Sequence, residues 1–205
     1  MKERRTQAER RAESQDRLLR AAIQLLGTHG YARTSLAEIG KAAGLSRGLV
    51  SHHFGSKEAC MRAVVTKIRE TAGELITESG ARGLDRIDRL FELYFDGVRH
   101  ADPTFTAMVT IMVESLTSTP GLRPTVSTTN DITRKFVAEL LTKAVAESSA
   151  ALTVDVDALS VLITGILRGV ALQYQIDPEN VDLGKATETA KAMVRATIVT
   201  PAAHH

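Results

Sequence analysis

From Leu18 onward the apolar residues of this chain return at intervals of three and four. Leu18, Leu19, Ala22, Ile23 and Leu26 fall on one stripe. The pattern predicts a first helix over about 8–28, ended by Gly30 in the position where glycine commonly stops a helix. Thr34 or Ser35 then caps a short helix that ends near Ala43, Gly44 makes a turn, and Ser46 caps a second short helix reaching His53. After Gly55 the chain restarts at Ser56, giving a fourth helix over 56–79 with Gly80 and Gly83 as a candidate boundary beyond it. Further helices are predicted near 84–101, 103–117, 124–148, 155–176 and 183–199. They are separated by Asp102-Pro103, the stretch 119–124, the polar residues around Ser148, and Asp177-Pro178. Apolar residues recur at helical spacing nearly throughout, so no strand is predicted. The expected fold is all-α, with about nine helices.

Thr34 to Glu58 is the most informative stretch. Two short helices joined through a glycine turn have the form of a helix-turn-helix, which presents its second helix to the DNA major groove. Leu36, Ile39, Leu45, Leu49 or Val50, and Phe54 would build the small core that fixes the angle between the two helices. Gly44 would supply a left-handed turn. The series Gly30-Tyr31, Thr34-Ser35, Ile39, Ala42-Ala43-Gly44-Leu45-Ser46, Gly48, His53-Phe54, Ser56-Lys57-Glu58 resembles the DNA-binding domain of TetR/AcrR-type transcriptional regulators. The stretch Gly169, Gln173, Asp177-Pro178, Val181-Asp182 resembles the end of the penultimate helix in many members.

The resemblance implies a helix-turn-helix DNA-binding domain over 1–55. It also implies a helical effector-binding and dimerisation domain over 56–205, with helix 56–79 connecting the two. DNA contacts carried over onto this sequence are Thr34, Ser46, Arg47, Leu49, Ser51, His52, His53 and Lys57. Arg47 suits base readout, because its planar fork matches guanine; Thr34, Ser51, His52 and Lys57 suit phosphate positioning. Arg4, Arg5, Arg10 and Arg11 could track the backbone or enter a minor groove. The sequence departs from the family at Ser51, where many members place a tyrosine whose hydroxyl reaches phosphate.

Charge agrees with this reading. The net charge of the 205 residues is only +2, yet residues 1–69 carry +8 and residues 70–205 carry −6. A basic head on an acidic body fits a polyanionic partner for the head. The single cysteine, Cys60, excludes an internal disulfide and falls on an apolar face with Val64 and Ile68, as a core thiol would. No secretory signal is visible, and the longest apolar run, Leu159 to Leu167, is too short to span a bilayer. The chain therefore reads as cytoplasmic, with no membrane partner.

Enzymatic and metal-binding motifs are missing. There is no HExxH, Cys-x-x-Cys, phosphate-binding glycine loop or Gly-x-Ser-x-Gly elbow, and adjacent His52 and His53 point about 100° apart on a helix. No catalytic residue, metal or cofactor is expected.

In the second domain Phe91, Tyr94, Phe95, Phe105, Met108 and Met112 put aromatics and methionines on two successive helices, as the lining of an apolar ligand cavity would. A plain hydrophobic core uses the same residue types. Glu114 and Arg168 stand out as charges within apolar helices, where they could pair, face solvent or orient a polar ligand. Val161, Leu162, Ile163, Ile166, Leu167, Val170, Leu172, Ala190, Met193, Val194 and Ile198 give the last two helices more apolar surface than one chain easily covers. By resemblance these helices form a homodimer interface. The combined expectation is a homodimeric repressor of a palindromic double-stranded DNA operator, released by an unknown small-molecule effector. An activator, a co-repressor-dependent regulator and an adaptor that has lost DNA binding share most of these features.

Overall fold

The computed structural model describes residues 6–199. Among them are nine α-helices: α1 (Gln7–His29), α2 (Leu36–Ala42), α3 (Arg47–Phe54), α4 (Lys57–Glu78), α5 (Asp85–Arg99), α6 (Pro103–Leu116), α7 (Arg123–Glu147), α8 (Val156–Ile176) and α9 (Leu183–Arg195). A single 3-10 turn, Pro120–Leu122, precedes α7. Helix starts follow the side chains that accept the otherwise unpaired first N–H groups. Thr6 and Glu9 form a reciprocal capping box on α1, Asp155 caps α8 and Asp182 caps α9.

Two elements differ from the sequence reading. Ala151–Leu152 (β1) pairs antiparallel with Ile198–Val199 (β2), so the expectation of no strand is corrected by a two-residue ribbon. Its strands are too short to produce an alternating pattern. The second takes residues assigned to the end of the ninth helix, which stops at Arg195 with Ala196 as its cap. The second difference concerns α8. As a whole its 21 residues are long and apolar enough to cross a membrane by length and composition, although only 33% of that stretch is buried.

Packing divides the described residues into two compact units. The first comprises residues up to Lys67 together with Pro103–Thr129, and the second Ile68–Asp102 together with Asn130 onward. In the first, α1 lies against α6 so closely that a side chain on Gly27 would meet the Pro103 carbonyl. Leu26, Tyr31, Met61, Ala107, Ile111, Leu122 and Val126 form one buried cluster here. Leu18, Ile39 and Val50 are almost completely buried, fixing α2 and α3. Cys60 is buried as well, and burial pushes its thiol up to about 12, which makes it a core residue rather than a nucleophile.

The second unit is built around Ile87, Phe91 and Phe95 of α5, with Leu141 of α7, Ile163 and Leu167 of α8, and Ala190 and Val194 of α9. Each of the larger side chains contributes about 1.5–3 kcal/mol by leaving water. Ion pairs edge this core: Arg195 bridges Asp85 and Asp88, Lys191 reaches Glu92 at 2.7 Å, and Arg86 reaches Glu147 at 3.0 Å.

Candidate nucleic-acid interface

The helix-turn-helix is assembled by short-range hydrogen bonds. Ser35 caps α2, its hydroxyl accepting the Glu38 N–H at 3.2 Å while the Glu38 carboxylate accepts the Ser35 N–H at 2.7 Å. Hydrogen bonding from the Ser35 side chain and backbone holds the Glu38 carboxyl below its ordinary value. At the other end Gly44 takes φ 65°, a conformation open mainly to glycine, and the Leu45 N–H returns to the Gly40 carbonyl at 2.8 Å. Arg17 of α1 donates to the Ala43 carbonyl at 2.5 Å, tying the turn to the first helix. Ser46 then caps α3, accepting the Leu49 N–H at 3.2 Å. Val50, rather than Leu49, is the position of α3 that is fully buried.

That choice of inward residue decides what α3 presents. Ser46, Gly48, Ser51 and His52 are exposed, and Leu49 is half-buried. Arg47 is the first residue of α3; its side chain lies outside those described, as do Arg4 and Arg5. His53 is half-buried, with Nε2 2.9 Å from the Ser14 hydroxyl of α1. Burial, reinforced by the Arg11 and His52 side chains, holds the His53 imidazole below its ordinary value.

Thr34 is a correction. Expected to meet phosphate, it is buried, and its hydroxyl donates to the Gly30 carbonyl at 2.7 Å, so its one polar hydrogen is used inside the protein. Lys57 is half-buried: its ammonium donates to the Tyr31 carbonyl and lies 3.7 Å from the centroid of the Tyr31 ring. Burial lowers its pKa, opposed by the Glu114, Glu58 and Glu38 carboxylates.

The residues surrounding this loop were only partly anticipated. Tyr31 donates its hydroxyl to Glu58 at 2.9 Å, and the Glu114 carboxylate of α6 accepts the N–H groups of Tyr31 and Ala32, both at 3.0 Å. A lone acid in an apolar helix marks Glu114 in the sequence, but its partners lie 82 and 83 residues away. Ser14 and Arg17 carry no sequence signal, being ordinary polar residues of an amphipathic helix.

Residues 18–64 match the family described as bacterial regulatory proteins, tetR family. Over 183 residues the chain is 32% identical to the HTH-type transcriptional regulator CymR of Pseudomonas putida, covering 86% of this chain and 87% of that protein. The chain belongs to the TetR family. It is accordingly a DNA-binding transcriptional regulator and not an enzyme. Solved TetR-family structures share its fold. A regulator from a Rhodococcus species superposes with a TM-score of 0.77 at 17% identity, covering 91% of this chain and 98% of that one. A transcriptional regulator from Saccharomonospora viridis, in complex with choline, gives a TM-score of 0.64 at 18% identity, covering 92% and 98%.

In this TetR-family chain the six candidate ligand residues do not form one cluster within either unit. Phe91, Tyr94 and Phe95 belong to the second, where the Phe91 and Phe95 rings stack at 6.3 Å and Tyr94 meets Phe95 edge-on at 5.7 Å. Both phenylalanines are fully buried. Phe105, Met108 and Met112 belong to the first unit, where Met112 packs against the Leu26–Tyr31–Met61 cluster. Among the described residues no group of three or more His, Cys, Asp or Glu is arranged to hold a metal ion.

Proposed function

We propose that this TetR-family regulator is a homodimeric, ligand-responsive repressor that binds a palindromic operator in the cytoplasm. In this reading residues 1–55 form the DNA-binding domain, residues 56–205 bind effector and dimerise, and helix α4 connects the two. The observation that carries the DNA half is the outward face of α3, capped at Ser46 and anchored through buried Val50. Ser46, Arg47, Leu49, Ser51 and His52 form the reading edge, with Arg47 as the base reader and Ser51 and His52 at phosphate. His53 and Lys57 hold the helix in place through Ser14 and Tyr31.

Dimerisation is supported by exposed apolar side chains on the last two helices: Val161, Leu162, Leu172 and Ile176 of α8 and Met193 of α9. A side chain added at Gly165 or Gly169 would meet nothing within 4 Å, which leaves space for a second helix to approach. This face also explains why α8 has the composition of a membrane span. A two-fold dimer would place its recognition helices roughly 34–36 Å apart, matching successive major grooves.

The ligand-response reading draws on the aromatic side chains Phe91, Tyr94 and Phe95 of α5, all within the second unit. The choline complex of a relative supports a small molecule in this fold. Effector binding would favour one arrangement of the dimer, and linkage would lower operator affinity by the same factor. An operator titration by fluorescence anisotropy tests the reading. Arg47→Ala should relax preference at one position of each half-site, costing about 1–3 kcal/mol there. Unchanged affinity and preference would remove Arg47 from the interface. An effector that tightens the complex instead of releasing it would make the protein co-repressor-dependent.

A further inference from the structure

Arg168 occupies an unusual position. It is half-buried in the middle of α8, on the turn carrying buried Thr164, Leu167 and Ala171. Its guanidinium donates to the Asn130 side-chain oxygen of α7 at 2.9 Å, a neutral partner. The adjacent carboxylate, Asp131, is engaged by Lys135 at 2.8 Å and by Arg134 at 3.8 Å. Among the described residues no carboxylate forms an ion pair with Arg168. Its electrostatic neighbours are the phenol of Tyr94 and a second cation, Arg134. Burial pushes the Tyr94 phenol up to about 12, so this group stays neutral and cannot balance the guanidinium. Burial, aided by Arg134, lowers the pKa of Arg168 itself, as expected of a cation short of an anion.

A guanidinium has five donors in a rigid fork that matches a carboxylate, and a partly desolvated cation is costly unless an anion completes it. Leu167, Ala171 and the Tyr94–Phe95 pair make the surroundings apolar. We propose that Arg168, supported by Asn130 and Tyr94, is the docking point for the carboxylate of a small apolar organic acid. This proposal deepens the effector-binding role given above and rests on it for its regulatory consequence.

The experiment uses the full-length protein without DNA. Benzoate and octanoate are compared with their neutral analogues benzamide and octanamide, by calorimetric titration near neutral pH. At least one acid should bind more tightly than its amide by roughly ten- to a hundredfold, the range of a charge-assisted hydrogen-bond pair. Arg168→Met should lose that preference, and Arg168→Lys should retain part of it. The ligand-free Arg168→Met protein should unfold at the same temperature or higher, because a partly desolvated, unpaired charge has been removed. A clearly lower unfolding temperature would overturn the proposal, since it would mean that an anion, such as a carboxylate of a second subunit, already pairs with Arg168. Amides binding as tightly as acids, or neither acid binding at millimolar concentration, would overturn it too. A parallel operator titration separates the two claims. An acid that binds without changing operator affinity supports the site and removes the ligand-release reading. Release by an amide alone leaves release standing and overturns the carboxylate.

Discussion

Gly30 meets two demands at once. Its φ of 76° is one that side chains rarely adopt, and an added Cβ would fall against the Glu114 carboxylate where it accepts the Tyr31 and Ala32 N–H groups. Gly30→Ala is therefore expected to cost about 1–3 kcal/mol of stability, measured by urea denaturation. If the clash with Glu114 is part of the cause, adding Glu114→Ala should cost less than the sum of the single changes. Strictly additive losses would mean that backbone conformation alone sets the requirement. Gly30 was legible in the sequence as a helix stop. Its second demand was not, because it depends on a carboxylate more than eighty residues away. Thr34 shows the same limit: its side-chain chemistry suits phosphate, and only the fold shows the hydroxyl spent on Gly30.

His53 gives a pH prediction at this scale. Its folded-state pKa lies below the ordinary value of about 6.5, so the unfolded chain takes up the proton first as pH falls. The stability contributed by neutral His53 is present above about pH 6.5 and is lost as pH falls through the lower, folded value. The denaturation midpoint should fall between about pH 7.5 and pH 5.5, and His53→Asn should flatten that part of the slope. An identical slope in the variant would place the titration elsewhere.

Among elements, α3 depends strongly on its cap, being eight residues long with Ser46 accepting the Leu49 N–H. Short helices are marginal alone and take their stability from caps and packing. Ser46→Ala should destabilise the protein by about 1 kcal/mol, while Ser46→Asp, which can still cap, should preserve more of the fold. Thermal unfolding of the two variants checks this, and equal stability would mean that the cap contributes nothing. The first four helices were readable because a capping residue at the start and a glycine just past the end bracket each one. The ribbon of β1 and β2 was not, since two-residue strands carry no period. Likewise, both Leu49 and Val50 fitted the core of the helix-turn-helix by spacing. Only the packed structure shows Val50 fully buried and Leu49 half-buried.

For the whole molecule, the sequence showed an excess of apolar surface on the last two helices; of the residues named for it Val161, Leu162, Leu172 and Met193 are exposed, and Ile176, not named from sequence, joins them. Leu162→Glu should convert a dimer to a monomer in light scattering and reduce operator affinity, because each half-site would then bind independently. A dimer that survives this change would move the interface away from α8. The basic head and acidic body pointed, in sequence, to an N-terminal part that meets a polyanion. The grouping of 103–129 with the N-terminal helices was not legible there, because it arises from packing of α6 on α1.

The measurement that tests the central claim most directly is selection of bound sequences from a random duplex library by the full-length protein at near-physiological salt. A homodimeric repressor should enrich a palindrome whose half-sites lie about one helical turn apart, roughly 34–36 Å between centres. Weak, salt-sensitive binding that enriches no sequence would contradict it, reducing the outward face of α3 to a non-specific contact with phosphate.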